Sequence, residues 1–329
     1  MKVLVTGGTG FIGANLVRLL LARGQEVVCL VRKPNLCLEG LPVTLANASI
    51  TDADALARAM DGCTYVYHVA GSFDPGPEGE ARMREIHVDG TRALLTAGQK
   101  AGVKRVLICS SSVTVGFGSK INPGHEDTPL NPDPIYGRTG ALRAYYDTKL
   151  ESERLAQAAT GVEAVIVNPD YILGPWDIKP TSGQLIVTMA KQWVPVYPKG
   201  GKCFQDVGDC ALGHILAMEH GIPGRRYLLG NQNLSYQEFM TLVAEVVGRR
   251  PPLFPVPDRA LGLAGAVGRK LAERDPHRFA GLDPNVLLSM RQERYRSGRR
   301  AREELGVPNT AIRQSVEDAY RWFRDHGYC

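Results

Sequence analysis

No Cys-x-x-Cys pair occurs in this sequence. Its seven cysteines stand scattered at positions 29, 37, 63, 109, 203, 210 and 329, an odd number that cannot all pair. That distribution argues against a disulfide scaffold and against a zinc site, and no other metal-binding set stands out. Cys29 and Cys109 fall inside apolar runs, where a free thiol packs as a small apolar group. No apolar run reaches the length of a membrane span, and there are no internal repeats or low-complexity tracts. The charge excess is small, with 39 Lys and Arg against 34 Asp and Glu. Arginines gather at 291–302, but Glu293, Glu303 and Glu304 interleave with them and no recognition-helix pattern follows. The run reads as a solvated surface rather than a nucleic-acid site. The first strand begins at Met1, leaving no room for a signal peptide, so a reducing, cytoplasmic setting is expected.

What is present is an ordinary 329-residue composition, 44% hydrophobic and 22% charged, enough for one large α/β domain and a smaller lobe. Residues 1–5 form a short β-branched run, the pattern of a buried parallel strand. Thr6-Gly7-Gly8-Thr9-Gly10-Phe11-Ile12-Gly13 follows at once, and a helix is predicted from Ala14 onward. Gly7 permits the tight turn, Gly10 lets the backbone approach a pyrophosphate, and Gly13 lets helix pack closely on strand. The helix start offers free N–H groups and a positive dipole end to phosphates. Strand, glycine loop and helix together point to dinucleotide binding.

The spacing Gly7-x-x-Gly10-x-x-Gly13 resembles the extended short-chain dehydrogenase/reductase superfamily. That resemblance implies a Rossmann-type doubly wound parallel α/β sheet with a smaller C-terminal substrate lobe. The expected division is 1–174 for the cofactor domain with the catalytic residues and 175–329 for most of the lobe, some segments of which return to the core.

A second strand at 26–31 ends in Val31 followed by Arg32-Lys33. NAD-preferring members carry an acid near this strand end to hold the ribose 2′-hydroxyl. Here an arginine can hold a 2′-phosphate bidentately, so NADP(H) is expected over NAD(H). Ser49-Ile50 stands where the family carries an Asp-apolar pair on the adenine. Strand 65–71 ends in Val69-Ala70-Gly71, where the cofactor would pass; His68 reads as a packed, hydrogen-bonded strand residue. His87 stands where the superfamily usually has Asn, as a pH-sensitive version of that role or a tolerated substitution.

Strand 104–109 runs into Ser110-Ser111-Ser112. Open α/β sheets place chemistry at such strand ends, and alignment with the family's serine motif gives Ser112 the catalytic position. Tyr145 and Lys149 share one face of a helix predicted at 141–159. A tyrosine with a reference pKa of about 10 is a poor proton shuttle at neutral pH, and an adjacent ammonium favours its phenolate. The expected roles are Tyr145 as proton donor, Lys149 as its tuner and ribose ligand, and Ser112 as the group polarising the carbonyl. Tyr146 should point elsewhere and pack. Asn168-Pro169, with Ile172 beyond, matches the family segment that receives the nicotinamide amide.

The stretch after Pro175 resembles the dihydroflavonol-4-reductase-like branch, which also contains hopanoid-associated sugar epimerase-like proteins. Helices are expected at 184–192, 236–247, 260–274 and 309–326. The leading expectation is an NADP(H)-dependent reductase of a ketone or aldehyde on a small, partly apolar substrate. The alternative is a nucleotide-sugar epimerase using the same three residues. Rim aromatics Phe73, Phe117, Tyr171, Trp176 and Trp193 suggest an apolar ligand or are simply core. Segment 171–201 offers a diphosphate only Lys179, Lys191 and Lys199, with Arg225 and Arg226 in reach, which favours an uncharged substrate. A homodimer through the 141–159 helix is an option that the resemblance implies, with other oligomeric states equally open.

Overall fold

The computed structural model describes residues 1–272, 274–277 and 283–329. Its strands, in chain order, are β1 Lys2–Thr6, β2 Glu26–Val31, β3 Thr44–Asn47, β4 Tyr65–His68, β5 Arg105–Cys109, β6 Glu163–Pro169 and β7 Tyr171–Leu173. They continue as β8 Val196–Tyr197, β9 Gly201–Asp206, β10 Arg226–Leu229, β11 Gln232–Ser235, β12 Phe254–Pro255 and β13 Glu293–Arg294. Seven of them form a parallel sheet in the order β10-β6-β5-β4-β1-β2-β3. The chain runs outward from β1 to β3, then returns to β4 on the other side of β1. This reversal opens a crevice beyond the carboxyl ends of β1 and β4, the place where doubly wound sheets bind ligands.

Both sheet faces are covered, which is why its strands read as continuous apolar runs. On one face the Phe11–Ala22 and Val207–His220 helices bury Leu16, Val17, Leu20, Cys210 and Ile215. The other face takes the Ala53–Ala59, Gly90–Lys100 and Ala141–Gln157 helices, with Leu56, Leu94 and Ala156 in its core. Asp52 caps the first of these by accepting the N–H of Ala55 at 3.0 Å.

The smaller lobe is built on a second sheet, β11-β9-β13, with β7 also on β9. Its core stacks Phe204 on Phe239 at 4.2 Å and adds Trp322 and Phe323 from the closing Ile312–Asp325 helix. The chain boundary at 174/175 is not a spatial one. β10 and the Val207–His220 helix come from beyond it and complete the first layer. Among the described residues no helix is long and apolar enough to cross a membrane.

Candidate active site

The loop after β1 is built around two glycines. Gly7 has φ +74°, and a Cβ there would lie 2.6 Å from the Ala70 nitrogen. A Cβ on Gly13 would lie 2.1 Å from the Gly7 carbonyl oxygen, so the helix approaches the loop as closely as a hydrogen atom allows. Asn35 fastens the loop from outside by donating to Thr9 O at 3.0 Å.

A cavity of about 690 Å³ opens on this loop. It is lined by Gly7, Thr9, Gly10, Phe11, Arg32, Ser49, Ile50, Val69, Ala70 and Gly71 of the expected cofactor residues. An adjoining cavity takes Ile12, Gly13, Tyr145, Lys149, Pro169 and Ile172, together with Ser110, Ser111 and Asp170. A backbone cradle closed to any Cβ, at the amino end of a helix, fits a dinucleotide pyrophosphate.

Two expected ligands fall outside both cavities. Lys33 lies on the exposed turn after Arg32. Asn168 is fully buried, its amide donating to Glu153 Oε1 at 2.6 Å and Ser111 O at 3.1 Å. Its side chain is spent on holding the catalytic turn.

Ser112, the expected catalytic serine, and its neighbour Ser111 are placed differently. Ser111 lines the same cavity as Tyr145, and its side chain acts on the phenol to lower its pKa against the effect of burial. Ser112 begins a 3-10 turn, Ser112–Thr114, and is buried. The turn directs Ser111, not Ser112, to the tyrosine. Behind it sits a buried carboxylate. Glu153 Oε1 accepts from Ser110 Oγ at 2.5 Å and lies 2.6 Å from Thr114 Oγ1, which is itself 2.9 Å from Ser111 O. Arg226 meets its Oε2 at 3.3 Å. The Ser110–Ser111 turn is thus pinned to the same helix that carries Tyr145 and Lys149.

Lys149 donates to Cys109 O at 2.9 Å and lies against Gly71. Burial pulls its ammonium below the usual value, with Cys109 and Glu153 acting the other way. Burial also pushes the Tyr145 phenol up to about 12, opposed by the Ser111 hydrogen bond. Desolvation exceeds the help that Ser111 gives, so the phenol stands above its ordinary value. Tyr145 is flanked edge-on by Phe73 at 5.7 Å and His87 at 5.6 Å. Tyr146 turns away to pack on Tyr136 at 5.6 Å.

His87 sits in a π-helical turn, Glu85–Asp89, facing the Tyr145 helix. Its Nε2 accepts the Ser72 N–H at 3.1 Å, which leaves the proton on Nδ1 for Thr148 Oγ1 at 2.9 Å. Burial holds it down at about 2, so it stays neutral at ordinary pH and is not a pH sensor. His68, on Thr6 Oγ1 at 2.8 Å, is lowered to about 3 for the same reason. Both folded pKa values lie below the unfolded one, so their contribution to stability is full above about pH 6.5 and is lost as pH falls. Each histidine is expected to cost about 2 kcal/mol by about pH 5. Urea midpoints across that range, compared with a His68→Gln variant, measure it; a wild-type curve flat over this window would contradict the burial argument.

Of the rim aromatics only Phe73 meets the tyrosine. Tyr171 packs on Phe204, Trp176 on Trp322, and Trp193 stands 44% exposed with its indole donating to Pro251 O. Phe117 lies 5.5 Å from the Arg296 guanidinium.

A profile of the NAD dependent epimerase/dehydratase family matches residues 3–230. The chain belongs to this family. Within the family, it is similar along its whole length to a Synechocystis sp. protein named as a dihydroflavonol 4-reductase, 34% identical with 98% of this chain and 95% of that one covered. It is 31% identical to sterol demethylase protein B of Methylococcus capsulatus over 99% of each. The crystal structure of gox2253 superposes with a TM-score of 0.84 at 33% identity, covering 99% of both chains. The resemblance to extended short-chain dehydrogenase/reductases is thereby shown, as is the Rossmann-type sheet. Membership of the family makes the chain an enzyme that works with a nicotinamide dinucleotide.

Proposed function

We propose that this enzyme is an NADP(H)-dependent reductase of a ketone or aldehyde on a substrate with an apolar portion. The observation that carries the reading is one cavity lined by Ser111, Tyr145 and the buried Lys149 together with Gly7, Gly10 and Gly13 of the glycine loop. The bound nicotinamide supplies the hydride to the carbonyl carbon. Ser111 Oγ holds the carbonyl oxygen, and the Tyr145 hydroxyl gives its proton to the alkoxide as it forms. Lys149 keeps an ammonium beside the phenol and reaches the ribose hydroxyls. The product is the alcohol, with one proton drawn from solvent to restore Tyr145. Phe73 stands edge-on to Tyr145 and lines the same cavity.

Arg32 lines the first cavity at the end of β2 with no acid beside it in the strand, which supports a 2′-phosphate ligand. Arg32→Asp should weaken NADPH by about tenfold or more, the scale of a lost charge-assisted contact, and NADH far less. Equilibrium titration with both cofactors checks this, and an unchanged ratio would remove the NADP(H) assignment. Seven free thiols, six of them buried, support a reducing compartment. The function itself is tested by following NADPH oxidation against a panel of aldehydes and ketones, with UDP-glucose in parallel. Turnover of UDP-glucose without net NADPH change would replace the reductase with an epimerase.

A further inference from the structure

Beside the larger cavity one residue is held in a backbone conformation that its side chain disfavours. Trp176 has φ +73°, and no other non-glycine among the described residues lies in the left-handed region, where a bulky side chain crowds its own backbone. Such a conformation persists only where the surroundings impose it, and it gathers at functional sites. Here the surroundings are specific. Asn15 Nδ2 donates to Pro175 O at 3.0 Å, and the Arg18 guanidinium lies 3.3 Å from the centre of the Trp176 ring. Both residues belong to the Phe11–Ala22 helix that starts at the glycine loop. Trp322 and His326 meet the same ring at 5.8 and 6.2 Å. The residues that follow are tied as firmly. Asp177, 2% exposed, accepts the N–H groups of Thr181 and Gly183, each at 3.0 Å. Tyr328 donates to Ile178 O at 2.7 Å, and Tyr171 to Ser182 O at 3.0 Å.

The segment so fixed faces the dinucleotide site. Asp177, Ile178, Lys179 and Thr181 line the larger cavity with Thr9 and Gly10. Thr181 continues into the adjoining cavity with Ser182, where Gly13 and Tyr145 also stand. Lys179 is exposed on this wall and makes no hydrogen bond or ion pair among the described residues. The other cations of the cavity have work already. Arg82 meets Asp74 at 2.8 Å, His277 stands 3.7 Å from the same carboxylate, and Arg32 is the expected partner of a ribose 2′-phosphate. We propose that residues 174–183 form a preset wall of the dinucleotide site, in which Trp176 is a positioning residue and Lys179 is a ligand of the cofactor's diphosphate. Asn15 and Arg18 fasten the wall to the helix whose amino end suits that diphosphate, which is why this group and not the 2′-phosphate is assigned to the lysine. The loop's N–H groups supply only partial charges, and the ammonium adds a full one. Because the strained turn holds the wall in place beforehand, binding has less chain left to order. The inference needs the dinucleotide, which family membership supplies, and neither the reductase reading nor the preference for NADP(H).

The test is equilibrium titration of wild type and Lys179→Met with NADPH, NADH, ADP-ribose and 2′-AMP. The variant should bind the first three about tenfold more weakly, the loss expected of a charge-assisted contact to phosphate. Its affinity for 2′-AMP, which lacks the diphosphate, should be unchanged, and Lys179→Arg should restore the other three. Because Lys179 is exposed, the substitution leaves the fold intact. A loss confined to NADPH and 2′-AMP would move the lysine to the ribose phosphate and overturn the assignment, as would four unchanged constants. Trp176 is tested by a double-mutant cycle. Trp176→Ala should weaken NADH about tenfold in the wild type but less than about threefold in Lys179→Met, since it acts through the lysine. Additive losses would overturn its positioning role. Should Trp176→Ala fail to fold, Arg18→Met, which withdraws the cation from the ring, takes its place with the same expectation. Loss of diphosphate affinity in Lys179→Met from a protein that turns over no carbonyl would sink the reductase reading and keep the wall.

Discussion

Tyr145→Phe is expected to slow single-turnover carbonyl reduction by about 10²-fold or more, because the alkoxide then loses its positioned proton donor. Ser111→Ala should cost about 10²-fold, the scale of one lost donor to a developing oxyanion. Ser112→Ala, one residue on, should change the rate by less than about threefold, since its side chain only packs. A large loss in Ser112→Ala with a small one in Ser111→Ala would reverse the assignment made from the turn. The pH profile carries the same information. Burial places the Tyr145 phenol at about 12, so below that value it stays a proton donor. Reduction should hold steady between about pH 6 and about pH 9, whereas the reverse oxidation, which needs phenolate, should climb about tenfold per unit.

Glu153→Ala is expected to destabilise the fold by about 3–5 kcal/mol, the cost of leaving a buried ion without its partner. The carboxylate is 1% exposed and faces Arg226, Ser110, Thr114 and Asn168 together. Removing it leaves Ser110 without its acceptor and takes one partner each from Arg226, Thr114 and Asn168. Urea unfolding gives the number directly. Because Thr114 and Asn168 also hold the Ser111 carbonyl, the folded fraction should show a slower chemical step with cofactor affinity little changed. A loss below about 1 kcal/mol, the size of an exposed pair, would mean water reaches the group.

The first sheet was legible because its strands, the exposed edge strand β3 apart, are buried along most of their length and announce themselves locally. The run at 26–31 is β2 to the residue, and the glycine loop and the Tyr145/Lys149 spacing needed no partner to be recognised. The second sheet was not legible. β7, β9, β11 and β13 are short and pair across about 30 to about 90 residues of chain, so no short window of sequence contains the pairing. Three consecutive serines give no local cue to register; only the 3-10 turn decides between Ser111 and Ser112. The stretch before His87 holds a helix, Gly79–Arg84, leading into the π turn that seats that histidine. Its Gly- and Pro-rich start hid it.

The return of β10 to the edge of the first sheet bears on how the chain is made. During synthesis, β6 emerges as an apolar edge strand some sixty residues before its neighbour β10 follows, and an unpaired edge is a template for association with other chains. The nascent nucleotide-binding half must therefore wait, incomplete, while the lobe between β7 and β10 leaves the ribosome. Fragments ending near residue 174 should aggregate rather than fold, and the growing chain has a built-in demand for chaperone cover over that interval.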